Sequence, residues 1–265
     1  MLSNLKLYIW ILFFTPIWVF SQNNDDSLLK QISNIEVELN TPVENDEDLY
    51  LNTVSFQSFY DVLSPMGEWI QVSKEDIDED INEGEGQAFS SLTDDEPTLF
   101  IWKPSVNSDW KPYMNGRWIY TNHGWLWQST DAWGNTTYNY GRWWNSKKYG
   151  WVWMPGYAWA PAWVRWKVSA DHIGWVPLSP KAKWTSEKGI NSNNYKYKNP
   201  DNDWVFVPKE NFVNDLSNTN VISAFRNSEL VAKSEPITDI KVENDMVINS
   251  GPDVQDIEKR TGKKL

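Results

Sequence analysis

The fold is decided by residues 116–128, which read GRWIYTNHGWLWQ. Two short runs, Arg117–Thr121 and Trp125–Gln128, alternate aromatic with other side chains and are separated by Asn122–Gly124. Because side chains on a strand alternate between two faces, each run directs its aromatic rings to one side. The glycine of Asn122–Gly124 can adopt the positive φ that a tight turn needs. The stretch therefore predicts a β-hairpin.

The same plan recurs further along the chain. Residues 141–154 read GRWWNSKKYGWVWM, so that GRW recurs after 25 residues and the GWxW motif after 26 residues. A partial third copy, GWVP, starts at Gly174, another 24 residues on. Such regular spacing is typical of one repeated supersecondary unit, and prolines between the runs exclude long helices. We predict an all-β fold, with Trp-rich antiparallel hairpin repeats forming a compact sheet or barrel-like body and a short C-terminal helix.

The tryptophans are predicted to fill the core of this body. Of the 19 tryptophans, 15 lie between Trp102 and Trp184, whereas residues 101–185 contain only ten Leu, Ile and Val. One Trp side chain buries roughly 150–250 Å², so that indole rings can replace an aliphatic core. We expect most rings to be buried and a few to remain at the surface.

The N-terminus is predicted to be an export signal. A positive charge at Lys6 precedes the largely apolar run Leu7–Phe20, which is shorter than the roughly 20 residues of a membrane-spanning helix and fits a signal peptide. We predict cleavage after Ser21, giving a periplasmic or secreted protein that does not span the membrane. An uncleaved signal anchor is the alternative.

Charge divides the remaining chain into three parts. Residues 22–100 contain 20 Asp and Glu against two Lys, residues 101–210 contain 14 basic against seven acidic side chains, and residues 211–265 contain seven against nine. We predict four segments: a signal peptide at 1–21, an acidic disordered arm at 22–50, a Trp-rich β domain at 51–210 with an acidic loop inserted at 74–97, and a C-terminal extension at 211–265 with short strands and a helix near 252–260.

Further strands are predicted outside the repeats. Ser64–Gly67 forms a turn before a strand at Trp69–Val72, and Trp204–Val207 is a second strand. Short strand-like runs occur at Leu230–Ala232 and within Ile237–Ile248. The end of the chain is expected to be solvated.

Composition excludes several kinds of site. The absence of Cys excludes disulfides and a thiol nucleophile, and two His cannot form a three-His zinc site within one chain. The nearest acid candidates for a hydrolase, Asp109, Asp131 and Asp171, lie in turn-like settings. No serine elbow or phosphate loop is present. We predict a non-catalytic protein without a metal or cofactor.

Exposed indole rings can stack on a sugar or a cation, and neighbouring arginines can hold an anion. We therefore predict an envelope scaffold or binding module whose partner is an envelope glycan or another envelope protein, not nucleic acid. A hydrolase acting on envelope polymers and a purely structural envelope protein are the alternatives. The candidate ligand-binding residues are Trp118, Tyr120, Trp125, Trp127, Tyr140, Arg142, Trp143, Trp151, Trp153, Trp159, Trp163 and Arg165.

The order of the motifs also resembles a known family. The matching stretches are DVLSPMGEW at 61–69, WKPY at 110–113, the GRW and GWxW repeats, PAWVRW at 161–166, GWVPLSP at 174–180, NSGP at 249–252 and TGKK at 261–264. In these motifs the chain resembles a Trp-rich family of exported bacterial proteins that carry a domain of unknown function. The resemblance implies no activity, substrate or cofactor. Residues 74–97 are longer than the connection it leads us to expect.

Overall fold

The predicted hairpins are present, and each belongs to a different sheet. The computed structural model describes residues 54–73, 76–77, 98–180, 182, 184–185, 189–190, 199–217, 220–237, 240–243 and 246–265. The predictions for the signal peptide, the acidic arm and all but Asp76 and Ile77 of the acidic loop lie outside the described residues.

The strands follow one another in short segments. They are β1 (Gly67–Ser73), β2 (Thr98–Pro104), β3 (Gly116–Thr121), β4 (Gly124–Ser129), β5 (Arg142–Ser146), β6 (Gly150–Met154), β7 (Val164–Val168), β8 (His172–Pro177), β9 (Trp184–Thr185), β10 (Gly189–Ile190), β11 (Val205–Pro208), β12 (Glu235–Ile237), β13 (Ile240–Glu243) and β14 (Met246–Asn249). The helices are α1 (Phe56–Leu63), α2 (Gly134–Thr137), α3 (Asn227–Lys233) and α4 (Val254–Thr261).

Three sheets contain four strands each. Sheet 1 has the order β1-β2-β6-β5, sheet 2 has β13-β14-β4-β3, and sheet 3 has β11-β8-β7-β12, while β9 and β10 form a separate pair. All neighbours are antiparallel except β14 and β4, which meet in parallel at Asn249 and Gly124. The predicted β class is confirmed. The barrel-like alternative is wrong, because within the described residues each four-stranded sheet ends in two different edge strands.

A cross-strand pair of tryptophans is common to the three hairpins. Trp118 lies opposite Trp127, Trp143 opposite Trp153 and Trp166 opposite Trp175. Directly opposed side chains on one face of an antiparallel pair are in contact range. The repeat in the sequence is therefore a repeat of paired indole rings, each pair supplied by one hairpin.

The indole rings form the core, as the composition predicts. Twelve tryptophans are buried: Trp102, Trp110, Trp118, Trp125, Trp127, Trp143, Trp144, Trp153, Trp163, Trp166, Trp175 and Trp204. The rings of Trp118 and Trp166 have centroids 4.5 Å apart, so that the hairpins of sheets 2 and 3 meet directly. Tilted and edge-to-face contacts of this kind stabilise aromatic cores beyond the area that they bury.

Buried indole N–H groups join the sheets to other parts of the chain. A buried donor without an acceptor is destabilising, so most such groups in proteins are paired. Trp102 Nε1 donates to the Leu63 carbonyl at 3.1 Å, and Trp125 Nε1 donates to the Pro252 carbonyl at 2.8 Å. Trp153 Nε1 donates to the Tyr140 carbonyl at 2.9 Å, and Trp175 Nε1 donates to the Tyr113 carbonyl at 2.8 Å. These bonds fix the end of helix α1 and three loops against the sheets.

The C-terminal residues are an integral part of the sheets. Strands β11 and β12 flank the third hairpin, and β13 and β14 extend sheet 2. Helix α4 confirms the predicted C-terminal helix. It is capped by Asp253, buries Ile257 completely, and is held by an ion pair of 2.6 Å between Lys209 Nζ and Asp256 Oδ2. Helix α4 therefore packs on the core, whereas residues 262–265 after it are exposed, as expected for the end of the chain.

One helix contradicts a sequence prediction, and a second lies where no element was predicted. Leu230–Ala232, predicted as strand-like, lies in α3, where Leu230 is buried and Lys233 bonds Glu229 one turn earlier. Helix α1 begins after Ser55, whose hydroxyl accepts a bond from the Ser58 N–H. A short apolar run does not distinguish a helix from a strand without its packing partners. The strands predicted at Trp69–Val72, at Trp204–Val207 and within Ile237–Ile248 are confirmed.

In the part of the chain that the structure describes, no helix has both the length and the apolar character needed to cross a membrane.

Two turn glycines give a matched stability test. Gly124 and Gly150 both have positive φ, at 82° and 73°. A Cβ at Gly124 would overlap the carbonyl oxygen of Asn249, whereas one at Gly150 would meet nothing within 4 Å. We expect Gly150→Ala to lower the free energy of unfolding by roughly 1–2 kcal/mol through the left-handed conformation alone, and Gly124→Ala to lower it by more. Urea unfolding followed by tryptophan fluorescence measures both, and equal losses would contradict the close approach of Asn249.

Candidate functional site

Most of the predicted ligand-binding residues lie inside the protein. Seven of the twelve are buried: Trp118, Trp125, Trp127, Tyr140, Trp143, Trp153 and Trp163. Four are half-buried, Arg142, Trp151, Trp159 and Arg165, and only Tyr120 is exposed, at 42%. The hairpins thus bring the predicted tryptophans together as a core, where a buried ring has no free face for a ligand.

The two predicted arginines are engaged within the protein. The guanidinium carbon of Arg142 lies 3.5 Å from the ring centroid of buried Trp163, and its Nη1 donates to the Gly141 carbonyl at 2.8 Å. The Nη1 of Arg165 donates to the side-chain oxygen of Asn199 at 3.4 Å. A cation held over an indole face stabilises the fold through a cation–π interaction. These contacts give both arginines a role in packing.

The acid candidates for a hydrolase also have structural partners. Asp131 accepts a hydrogen bond of 2.5 Å from the Tyr138 hydroxyl and a longer one from the Trp110 indole. Asp171 is exposed and lies 3.7 Å from Arg260 of α4. Across the described ranges, no group of three or more His, Cys, Asp or Glu is arranged to hold a metal ion.

Asp131 gives a pH-dependent prediction. Burial raises the pKa of its carboxyl above the usual value of 3.8, and the bonds from Tyr138 and Trp110 oppose that shift. The folded protein then keeps this proton to higher pH than the unfolded chain does. The contribution of Asp131 to the free energy of unfolding therefore falls as pH rises from 3.8 through the raised pKa.

Asp131→Asn keeps an oxygen for the Tyr138 hydroxyl but cannot ionise. We expect the free energy of unfolding of the wild type, compared with that of Asp131→Asn, to decrease as pH rises from 3.8 through the raised pKa of Asp131. Urea unfolding at a series of pH values measures the difference between the two proteins. A difference that increases with pH would show that the hydrogen bonds outweigh burial.

Four aromatic side chains outside the hairpin repeats form a cluster that reaches the surface. Phe56 and Trp69 are half-buried, Tyr60 is 45% exposed and Phe100 is 40% exposed. Phe56 lies at the centre, with ring centroids 5.1 Å from Trp69, 5.6 Å from Phe100 and 6.2 Å from Tyr60. Tyr60 stacks on Trp69 at 5.8 Å. We call these four side chains the aromatic surface.

Helix α1 and sheet 1 position the aromatic surface. Phe59 of α1 packs against Trp153 at 5.2 Å, and the Leu63 carbonyl accepts the Trp102 indole bond, which fixes the helix on the sheet. Trp69 lies opposite Trp102 in the register of β1 and β2. It therefore shares its face of the sheet with the helix. Phe56 and Tyr60 lie on neighbouring turns of α1 beyond the buried contact, and β2 carries the fourth ring, Phe100.

The sequence prediction missed this surface because it searched the Trp-rich repeats. A usable signal was present in the spacing of Phe56, Phe59, Tyr60 and Leu63, which places them on one side of a helix. Phe59 and Leu63 are buried, whereas Phe56 and Tyr60 extend the same stripe into solvent. Because this apolar stripe of α1 is wider than the area that sheet 1 covers, its outer rings reach the solvent.

Comparisons with known proteins find one match, over part of the chain. A family model, described as a family of unknown function (DUF6600), matches residues 85–182, the part that contains the three hairpins. No curated protein matches the chain, and no solved structure does. The match includes Phe100 but not the three residues of the aromatic surface that lie on α1 and β1.

Proposed function

We propose that this chain is an exported, non-catalytic binding module of the cell envelope, and that the aromatic surface is its contact with a partner. The observation that supports the proposal is the position of Phe56, Tyr60, Trp69 and Phe100, which cluster at the surface of a protein that buries most of its tryptophans. Contiguous apolar patches on soluble proteins mark interaction sites.

The rigidity of the aromatic surface suits binding. Its rings contact one another, and α1 is anchored to sheet 1 through Phe59 and Leu63. Side chains that are already held in place lose little conformational entropy when a partner binds. Aromatic rings bury a large area with few rotatable bonds, which makes them frequent anchors of interfaces.

The tilt of the rings favours a protein partner over a glycan. Phe56 is inclined by 41° to Phe100 and by 63° to Trp69, and of the ring contacts within the aromatic surface only that of Tyr60 with Trp69 is close to parallel, at 23°. Sugar rings stack on flat aromatic faces, whereas inclined rings leave notches between them that match protruding apolar side chains. The two predicted arginines take no part in this proposal, since Arg142 packs on Trp163 and Arg165 binds Asn199.

The experiment compares three forms of residues 22–265: wild type, the double variant Tyr60→Ser/Phe100→Thr, and the control Phe225→Ser. Phe225 is a matched control because it is 94% exposed and lies outside the aromatic surface. Each form is immobilised and incubated with detergent-solubilised envelope proteins, and each is separately sedimented with insoluble cell-wall glycan.

We expect wild type and Phe225→Ser to retain the same envelope protein, and the double variant to retain at least tenfold less. Equal retention by all three forms would refute the role of the aromatic surface. Loss of glycan sedimentation in the double variant alone would assign the surface to a glycan instead. Release of soluble sugar from the glycan would favour the hydrolase.

A further inference from the structure

The aromatic surface lies on a face of sheet 1 rather than along its edge. Trp69 and Phe100 belong to the paired strands β1 and β2, and Phe56 of α1 contacts both rings. Strand β1 separates Phe100 from the edge of the sheet, and at one end of β1 the Ser73 N–H is already bonded to the Asp76 carboxylate at 3.1 Å. Backbone hydrogen bonds of a sheet lie in its plane. A segment that covers the rings is therefore held by side chains, without a backbone ladder.

On this face, the described strands β1 and β2 carry no charged side chain. Successive side chains of a strand alternate between the two faces of its sheet. Gln71 consequently lies on the same face as Trp69, opposite Phe100 in the register. The exposed side chains of Glu68 and Lys103 lie opposite each other on the other face. The strands thus present aromatic rings and an amide to a partner, and keep their charges away from it.

The other charges near β1 also face elsewhere. Asp76 and Lys148 line a cavity together with Val72 on that other face of sheet 1. On α1 the one carboxylate is Asp61, two residues after the buried Phe59. Because a helix turns by roughly 200° over two residues, Asp61 lies on the solvent side of α1. An uncharged segment therefore matches the aromatic surface better than a basic or an acidic one.

Two polar side chains beside the rings are available as hydrogen-bond donors. The Gln71 amide and the Tyr60 hydroxyl belong to exposed residues, and among the residues that the structure describes neither side-chain group has a hydrogen-bond partner. A primary amide and a phenol both donate. The surface therefore combines aromatic rings with free donors. Its complement is a chain that exposes apolar rings and carbonyl oxygens.

We propose that the partner presents a neutral, proline-rich segment in the polyproline II conformation, and that this segment lies across the aromatic surface. The proposal rests on the proposed function and specifies the chemistry of the partner. Polyproline II has no internal hydrogen bonds, so that its carbonyls remain free to accept, and proline has no N–H that needs an acceptor. Such segments bind aromatic-lined surfaces because their preformed conformation loses little entropy.

The size of the aromatic surface suits a short segment. The ring centroid of Phe56 lies 5.1 Å from Trp69, 5.6 Å from Phe100 and 6.2 Å from Tyr60, so that every ring is within two ring contacts of the others. Polyproline II rises about 3.1 Å per residue and has three residues per turn. About four residues cross the surface, with every third side chain on the rings and carbonyls directed to Gln71 and Tyr60.

The experiment measures the binding of a labelled peptide, (Pro-Pro-Leu)3, to residues 22–265 by fluorescence anisotropy. Two matched peptides carry lysine or glutamate in place of leucine, and a third, (Gly-Gly-Leu)3, keeps leucine but removes the preformed helix. We expect the lysine and glutamate peptides to bind several-fold more weakly than the parent, because the surface supplies no opposite charge. The glycine peptide should bind at least tenfold more weakly, because it must be ordered on binding.

Variants of the protein locate the peptide. We expect Tyr60→Ser/Phe100→Thr to bind the parent peptide at least tenfold more weakly, and Gln71→Ala to bind it several-fold more weakly through the loss of one donor. The controls Phe225→Ser and Gln255→Ala change exposed side chains outside the aromatic surface and should bind as the wild type does. Far-UV circular dichroism of each variant confirms that it is folded.

The outcomes separate the inference from the proposed function. If no proline peptide binds the wild type while retention of an envelope protein still requires Tyr60 and Phe100, the proline-rich partner is wrong and the binding surface stands. Equal binding of the proline and glycine peptides, tighter binding of a charged peptide, or unchanged peptide binding by the double variant would overturn the inference as well. If the double variant changes neither peptide binding nor retention, the proposed function is overturned with it.

Discussion

Replacement of Trp118 by alanine is expected to lower the free energy of unfolding by about 3–5 kcal/mol, the range for removing a large aromatic side chain from a packed core. Trp118 is 1% exposed. Its ring lies 4.5 Å from Trp166, 5.0 Å from Trp127 and 5.5 Å from Trp175. The cavity would open between sheets 2 and 3, where surrounding rings are too rigid to fill it. Urea unfolding measured by far-UV circular dichroism gives the loss, and a loss below about 1 kcal/mol would contradict this packing.

A second pair of variants separates ring packing from hydrogen bonding. The indole Nε1 of Trp118 is buried and has no hydrogen-bond partner among the described residues, whereas that of Trp102 donates to Leu63 O. Trp118→Phe removes an unpaired donor, whereas Trp102→Phe removes a buried hydrogen bond. We expect Trp102→Phe to be the more destabilising by roughly 1 kcal/mol or more. The opposite order would show that the Leu63 bond contributes little.

Asn249→Leu is expected to lower the free energy of unfolding by about 2–5 kcal/mol, because two buried partners lose their bonds together. Asn249 is fully buried at the end of β14. Its Oδ1 accepts the Trp166 indole N–H at 2.7 Å, and its Nδ2 donates to the Ala162 carbonyl at 3.1 Å. Leucine has a similar volume but offers neither group, so that the donor and the acceptor would both remain buried and unpaired.

Asn220→Leu is the control for Asn249. The Asn220 side chain also makes two hydrogen bonds, to the Ser217 N–H and the Asp215 carbonyl at 2.7 Å each, but it is exposed. Water can replace both bonds there, so we expect a loss below about 1 kcal/mol. Limited proteolysis of the same variants should release the C-terminal strands from Asn249→Leu first. Equal losses for the two variants would refute the anchoring role of Asn249.

The hairpins were predictable because their information is local. Alternation placed Trp118 and Trp127 on inward faces, and Gly124 marked the turn, as the register of β3 and β4 confirms. The abundance of Trp and the shortage of aliphatic residues predicted an indole core in the same way. The hairpins require only the two-residue period of a strand and the conformational freedom of glycine, and the indole core requires only composition.

The spacing of residues 56–63 indicated a helical apolar stripe, but the exposure of its outer rings was not predictable, because exposure depends on which elements cover one another. Tyr60 and Trp69 carry rings of the same chemistry as the buried ones, and their exposure follows from where α1 ends on sheet 1. The left-handed backbone conformation of Tyr113, with φ of 59°, likewise depends on residues that are distant in the sequence. It is held by bonds from the Trp175 indole and from the Trp163 N–H, which lie 62 and 50 residues away along the chain.

The sequence by itself determined two hairpins with their turns, a partial third copy of the same unit, a β class and a core made of indole rings, since each depends on local pattern or on composition. Only the tertiary structure decided that the hairpins belong to separate sheets, and that C-terminal strands complete two of them. It also decided that Phe56, Tyr60, Trp69 and Phe100 share a surface beside a strand edge. The reason is physical: burial and strand pairing join residues far apart in the chain, and no local pattern of side chains specifies which distant segment will supply the partner.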